Sequence, residues 1–212
     1  MTGQNLQSPE YINIPRGRFA YLAAGSPEAP LALCLHGFPD HAHTWMHLLP
    51  ELADAGFYAV APWLRGYAPS PLHGPYTLET LRDDVLALTQ ALAGGRPAML
   101  IGHDWGAAIT CSAIGHAPEH YSRAVTLAVP HALNFMQKAF AQPKQLRRSR
   151  YMMLFQIPRL SDAIVRRHDF AYIDELWRAW SPNLTLNPDF QRELKRCLAQ
   201  SMPAPLAYYR AM

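Results

Sequence analysis

The hydrophobic and polar positions of this chain fall into two regimes. In the first 130 or so positions, short apolar runs alternate with stretches of helical spacing. Tyr11-Ile12-Asn13-Ile14 and Phe19-Ala20-Tyr21-Leu22 alternate on either side of Arg16-Gly17-Arg18, which predicts a β-hairpin. Leu31-Ala32-Leu33-Cys34-Leu35 and Phe57-Tyr58-Ala59-Val60-Ala61 are unbroken apolar runs and predict strands covered on both faces. Ala98-Met99-Leu100-Ile101 and the run from Ala124 to Val129 predict two more. Trp45 to Ala53, stopped by Gly56, and Leu78 to Leu92, stopped by Gly94-Gly95, carry helical spacing. Strands alternating with helices of this length predict an α/β fold, a doubly wound and mostly parallel sheet.

From about Leu133 to Met212 no buried-strand pattern remains. Tyr151 to Leu160, Ser161 to Trp180 and Asp189 to Gln200 have helical spacing, interrupted by Pro158, Pro182 and Pro188. The expected organisation is an incomplete sheet core over residues 1–132 and a helical cap over residues 133–212.

Composition narrows the partners. With 212 residues, half of them hydrophobic, the chain can build a sizeable core as one large or two small domains. The net charge is only +3. Much of the basic excess sits in Lys144-Gln145-Leu146-Arg147-Arg148-Ser149-Arg150 and Arg166-Arg167, which read as solvated helix faces because no nucleic-acid motif accompanies them. The first ten residues lack a basic-then-apolar leader pattern, and no apolar stretch is long enough to span a bilayer. Cys34, Cys111 and Cys197 are widely spaced, as reduced thiols of a cytoplasmic protein would be. Neither nucleic acid nor membrane is therefore expected as a partner. Oligomeric state leaves no mark in the sequence.

The chemistry concentrates in Gly102-His103-Asp104-Trp105-Gly106, between the apolar run Ala98–Ile101 and the helix-like Ala107-Ala108-Ile109-Thr110-Cys111. This is strand, sharp turn, helix, with glycines framing a residue pushed out at the top of the sheet. An Asp there is ionised without help and suits attack on an electrophilic saturated carbon, forming an ester. The competing structural role is an acidic helix cap.

His36-Gly37-Phe38-Pro39, Arg65-Gly66-Tyr67 and the Asp104 turn resemble the α/β-hydrolase fold and, more narrowly, the epoxide hydrolases. Tyr151-Met152-Met153-Leu154-Phe155-Gln156 and Ala207-Tyr208-Tyr209-Arg210-Ala211-Met212 are similar to that family's two ring-opening tyrosine segments. The resemblance implies Asp104 as nucleophile, and Tyr151 and Tyr209 as hydrogen-bond donors to the epoxide oxygen. It leaves Tyr208 as an alternative to Tyr209 under a one-residue shift. It implies an oxyanion hole from the backbone N–H groups of Phe38 and Trp105, and a Phe38-Pro39 bond that is cis. For both tyrosines ordinary aromatic packing is the competing role. Phe38, Trp105, Met153 and Phe155 would line an apolar pocket for a small, uncharged epoxide or related electrophile. Trp63 and Ala68 stand where many relatives carry Asp and Gly.

The resemblance also calls for a histidine base and an orienting carboxylate after the cap, and no residue here matches either by motif. The expectation is a shortened hydrolase that forms the ester and turns over poorly, with an open sheet edge. His43/His47 and His116/His120 have i, i+4 spacing, but without a third ligand no metal is expected, and no cofactor. Two alternatives stay open: a haloalkane-type dehalogenase of the same fold, using the Trp105 indole N–H, and a non-catalytic ligand-binding fragment.

Overall fold

The computed structural model describes residues 8–129 and 149–212. The boundary expected at 132/133 and most of the basic run 144–150 lie outside the described residues. A six-stranded sheet has the order β1-β2-β4-β3-β5-β6. β1 (Glu10–Ile14) and β2 (Gly17–Ala24) form the expected antiparallel hairpin, and β2 also pairs antiparallel with β4 (Tyr58–Pro62). The pairs β4–β3, β3–β5 and β5–β6 are parallel, with β3 at Leu31–Leu35, β5 at Ala98–His103 and β6 at Tyr121–Leu127. All five residues of β3 and of β4 are buried, which is why their sequences show no alternation.

α1 (Leu48–Asp54) is shorter than expected, and Ala42–Trp45 before it is a 3₁₀ turn. α2 (Leu78–Leu92) spans the predicted residues. Thr77 caps it by accepting the Thr80 N–H at 3.3 Å, and Leu81, Val85 and Leu88 form its buried stripe. α3 (Trp105–His116) follows β5 through a single residue, Asp104. β6 begins three residues earlier than the apolar run suggested. As the outermost strand among the described residues it leaves Ser122 to Leu127 exposed, so the polar Ser122 and Arg123 fit within it.

The described residues from 149 onward are helical, with no strand among them. α4 (Arg150–Phe155) ends before Pro158, five residues short of the expected helix. α5 (Leu160–Trp180) is interrupted: Arg167 is extended, and His168, Asp169 and Phe170 have φ near +50 to +60°. The break buries Phe170 and leaves Asp169 paired with Lys195 at 3.1 Å. α6 (Pro188–Ser201) is capped by Asn187, which accepts the Asp189 and Phe190 N–H groups, and buries Phe190, Leu194, Cys197 and Leu198 along one stripe. α7 (Ala204–Arg210), which follows Pro203, had no counterpart in the sequence reading.

Candidate active site

Asp104 occupies the turn between β5 and α3 with φ 53° and ψ −118°. The left-handed φ falls on the aspartate itself, whereas Gly102 and Gly106 do not have positive φ. These glycines serve close approach. A Cβ on Gly102 would lie 2.2 Å from the Gly106 carbonyl oxygen, and one on Gly106 would lie 2.1 Å from that of Leu35. Strain at a non-glycine residue is tolerated where the surrounding structure dictates it, here the packing of β3 against α3.

The Asp104 carboxylate accepts the Phe38 N–H at 2.8 Å and is also held by the Trp105 N–H. Burial pushes its carboxyl above the ordinary value, and these two donors act in the opposite direction. Gly37 lets the Phe38 loop come this close, because a Cβ there would sit 2.4 Å from Asp104 Oδ1. The Phe38-Pro39 peptide is cis, as are those preceding Pro69, Pro75 and Pro203.

An aromatic roof covers the carboxylate. The Tyr209 ring packs edge-on against Phe38, Trp105, Phe155 and Tyr151, with centroids 5.1–5.8 Å apart. The Tyr209 hydroxyl is buried with no hydrogen-bond partner of good geometry, although the Tyr151 hydroxyl and Trp105 indole N–H lie close enough to act on it. Burial first and the Asp104 charge second raise both phenols, that of Tyr151 to about 12 and that of Tyr209 well above its usual value. Both therefore stay protonated at neutral pH. The neighbouring Tyr208 differs in that its hydroxyl donates to the Arg65 carbonyl oxygen.

Two residues without a role in the sequence reading hold these phenols together. Gln156 Nε2 donates to the Tyr209 carbonyl oxygen. Arg210 donates to the Phe155 carbonyl oxygen and to Ser161 Oγ, both at 2.9 Å, and pairs with Asp162. Both lie inside the tyrosine segments, but nothing in the sequence ties either to a carbonyl on the other segment. Met153, expected in the pocket lining, is 72% exposed on the outer side of α4, so only Phe38, Trp105 and Phe155 of that set face the aromatic cluster.

His36 and Arg65 are structural. His36 Nε2 accepts the Leu64 N–H at 3.1 Å, so Nδ1 carries the proton and donates to the Gly37 carbonyl oxygen at 3.0 Å. Burial lowers the imidazole to about 4. Arg65 makes a buried two-pronged pair with Asp84 at 2.6 and 2.8 Å, and Arg16 joins it at 2.7 Å. Trp63 is buried edge-on against His41 and His43, a packing role that needs no carboxylate.

Known proteins share the sequence and fold of this chain. The family model of the alpha/beta hydrolase fold matches residues 30–174. The AB hydrolase superfamily protein YfhM of Bacillus subtilis is 32% identical over 210 residues, 96% of this chain and 72% of that protein. Epoxide hydrolase 3 of Xenopus tropicalis is 34% identical over 160 residues, covering 74% of this chain and 43% of its own. The chain thus spans less than half the length of that relative. A crystal structure of Bacillus megaterium epoxide hydrolase in complex with an inhibitor superposes with a TM-score of 0.85 at 28% identity, over 95% of this chain and 71% of that one.

Proposed function

Since the chain belongs to the alpha/beta hydrolase fold family, with epoxide hydrolases among its relatives, we propose that it opens small, apolar epoxides through Asp104. The carrying observation is the approach of two protonated phenols, Tyr151 and Tyr209, to one carboxylate held by two backbone N–H groups.

One Asp104 oxygen attacks a ring carbon. A carbon–oxygen ester bond forms, the ring C–O bond breaks, and the departing oxygen takes a proton from a phenol hydrogen-bonded to it. General-acid help of this kind contributes about 10²–10⁴ in rate. The other Asp104 oxygen stays with the Phe38 and Trp105 N–H groups. When water attacks the ester carbonyl, the same donors meet the negative charge that develops there. Phe38, Trp105 and Phe155 make the surroundings apolar, which favours an uncharged substrate.

We assign no base to the hydrolytic step. His36 is buried, uncharged and held at both nitrogens. The reading therefore has alkylation outrunning hydrolysis, so that ester accumulates. We read the helices from Arg150 onward as part of a cap over Asp104, the described portion of the cap expected over 133–212. Three cysteines without disulfides fit a reducing compartment such as the cytoplasm.

Intact-mass spectrometry after incubation with an aryl epoxide tests this. One covalent adduct is expected, absent from Asp104→Asn. Sustained diol formation by the chain alone would refute the stalled second step. Halide release from a haloalkane without epoxide alkylation would favour the dehalogenase alternative, and no adduct with either class would favour a non-catalytic binding protein.

A further inference from the structure

We propose a zinc-type divalent metal site formed by His41, His43 and Glu193, where the loop after β3 meets α6 of the helical layer. One potential ligand atom from each lies within 4.8 Å of the others, the sole such grouping of three among the described residues. Tetrahedral zinc with N and O ligands at about 2.0–2.1 Å needs those atoms about 3.4 Å apart, a contraction within reach of side-chain rotation. Two imidazoles and a carboxylate form a donor set that zinc uses readily, with a fourth position left for water.

A second, independent observation points to a ligand. His41 is fully buried, and neither of its ring nitrogens has a hydrogen-bond partner. Buried polar groups are nearly always satisfied, and a neutral imidazole has both a donor and an acceptor to satisfy. The Asp40 carboxylate is buried beside it. Its Oδ1 accepts the His41 backbone N–H at 2.9 Å and lies 3.8 Å from His41 Nδ1, while its Oδ2 has no partner. A cation on His41 Nε2 turns the Nδ1–H toward Asp40 and settles both groups, the carboxylate–histidine–metal arrangement that fixes ligating rings elsewhere.

The remaining members suit the site. The His43 ring lies 5.0 Å from that of His41, and Trp63 and Phe190 wall the pair off with edge-on rings. Glu193 is ion-paired with the solvent-facing Arg196 at 2.8 and 2.9 Å, yet a carboxylate has about four lone-pair positions and can bind metal with the others. Its side chain is 18% exposed, which gives a metal its way in. The i, i+4 histidine pairs conspicuous in the sequence are not the grouping: the third ligand comes from 150 positions downstream.

The site shares no ligand with the Asp104 centre, so metal binding and epoxide alkylation are read out separately. The untagged, chelator-treated chain is titrated with Zn²⁺, followed by calorimetry and metal analysis after gel filtration, and with Co²⁺, followed by visible absorption. One tightly bound equivalent is expected, with the intense d–d bands of a four- or five-coordinate Co²⁺ site. Glu193→Gln, whose partly exposed position keeps the fold intact, weakens binding at least tenfold and removes the zinc-dependent rise in Tm. His41→Gln weakens it further. Absence of a stoichiometric site in the unmodified chain overturns the proposal, as does binding that Glu193→Gln and a His41→Gln/His43→Gln double variant leave unchanged.

Discussion

The backbone N–H of Phe38 donates to Asp104 Oδ1 at 2.8 Å, joining two turns 66 positions apart in sequence. The bond positions a charge, and Gly37 makes it possible. Gly37→Ala puts a methyl carbon 2.4 Å from Asp104 Oδ1, so either the loop or the carboxylate has to move. A misplacement of about 1 Å at a reacting group costs on the order of 10² in rate. We expect alkylation by an aryl epoxide to slow about a hundredfold, measured by time-resolved intact mass, with the far-UV circular dichroism unchanged.

The adjacent tyrosines separate chemistry from architecture. Tyr209→Phe removes a buried hydroxyl that makes no hydrogen bond of good geometry, so stability changes little while alkylation falls by about 10²–10⁴. Tyr208→Phe removes the donor to the Arg65 carbonyl and costs about 1 kcal/mol of stability with little effect on alkylation. Urea unfolding and adduct kinetics on both variants check the contrast, and the reverse outcome would exchange the two roles.

Asp104 links activity to pH. Its folded pKa lies above the ordinary carboxylate value, chiefly through burial. The folded state therefore holds this proton more tightly than the unfolded chain does. The stability it confers is complete below the unfolded pKa and is lost as pH rises through the folded one. Alkylation needs the ionised form and follows the opposite course. We expect the adduct rate to rise with pH through an apparent pKa above 3.8, and Asp104→Asn to melt at a higher temperature than the parent at pH 7. That difference narrows on acidification, as thermal melts across a pH series would show.

Asp84 is the buried counter-charge for Arg65 and also meets Arg16. Its replacement by Ala strands a guanidinium inside the protein. Removing one partner of such a pair costs about 3–5 kcal/mol. Chemical denaturation should reveal that loss, and most of it should return in a variant that also replaces Arg65 with a neutral side chain.

The sheet core was largely legible in the sequence. The unbroken apolar character of Leu31–Leu35 and the helical spacing of Leu78–Leu92 with its Gly94-Gly95 stop report local physics that the fold leaves untouched. The misses have tertiary causes. β6 tolerates Ser122 and Arg123 because its side chains stay in water, so its start carries no apolar mark. The break in α5 contains neither glycine nor proline, and its mark is long-range, a buried Phe170 and an ion pair to Lys195. Two adjacent, identical side chains at 208 and 209 cannot be told apart by pattern; tertiary contacts distinguish them, the Arg65 carbonyl for Tyr208 and the cluster beside Asp104 for Tyr209. His41 and Glu193 are likewise brought together only by the packing of α6.

Gln156 and Arg210 fasten the segment bearing Tyr151 to the segment bearing Tyr209 through each other's carbonyl oxygens. The two phenols are thereby carried on one jaw. In the proposed reaction the two phenols are therefore presented to Asp104 as a pair, and a change of substrate would have to alter the aromatic lining while sparing the Gln156 and Arg210 bonds.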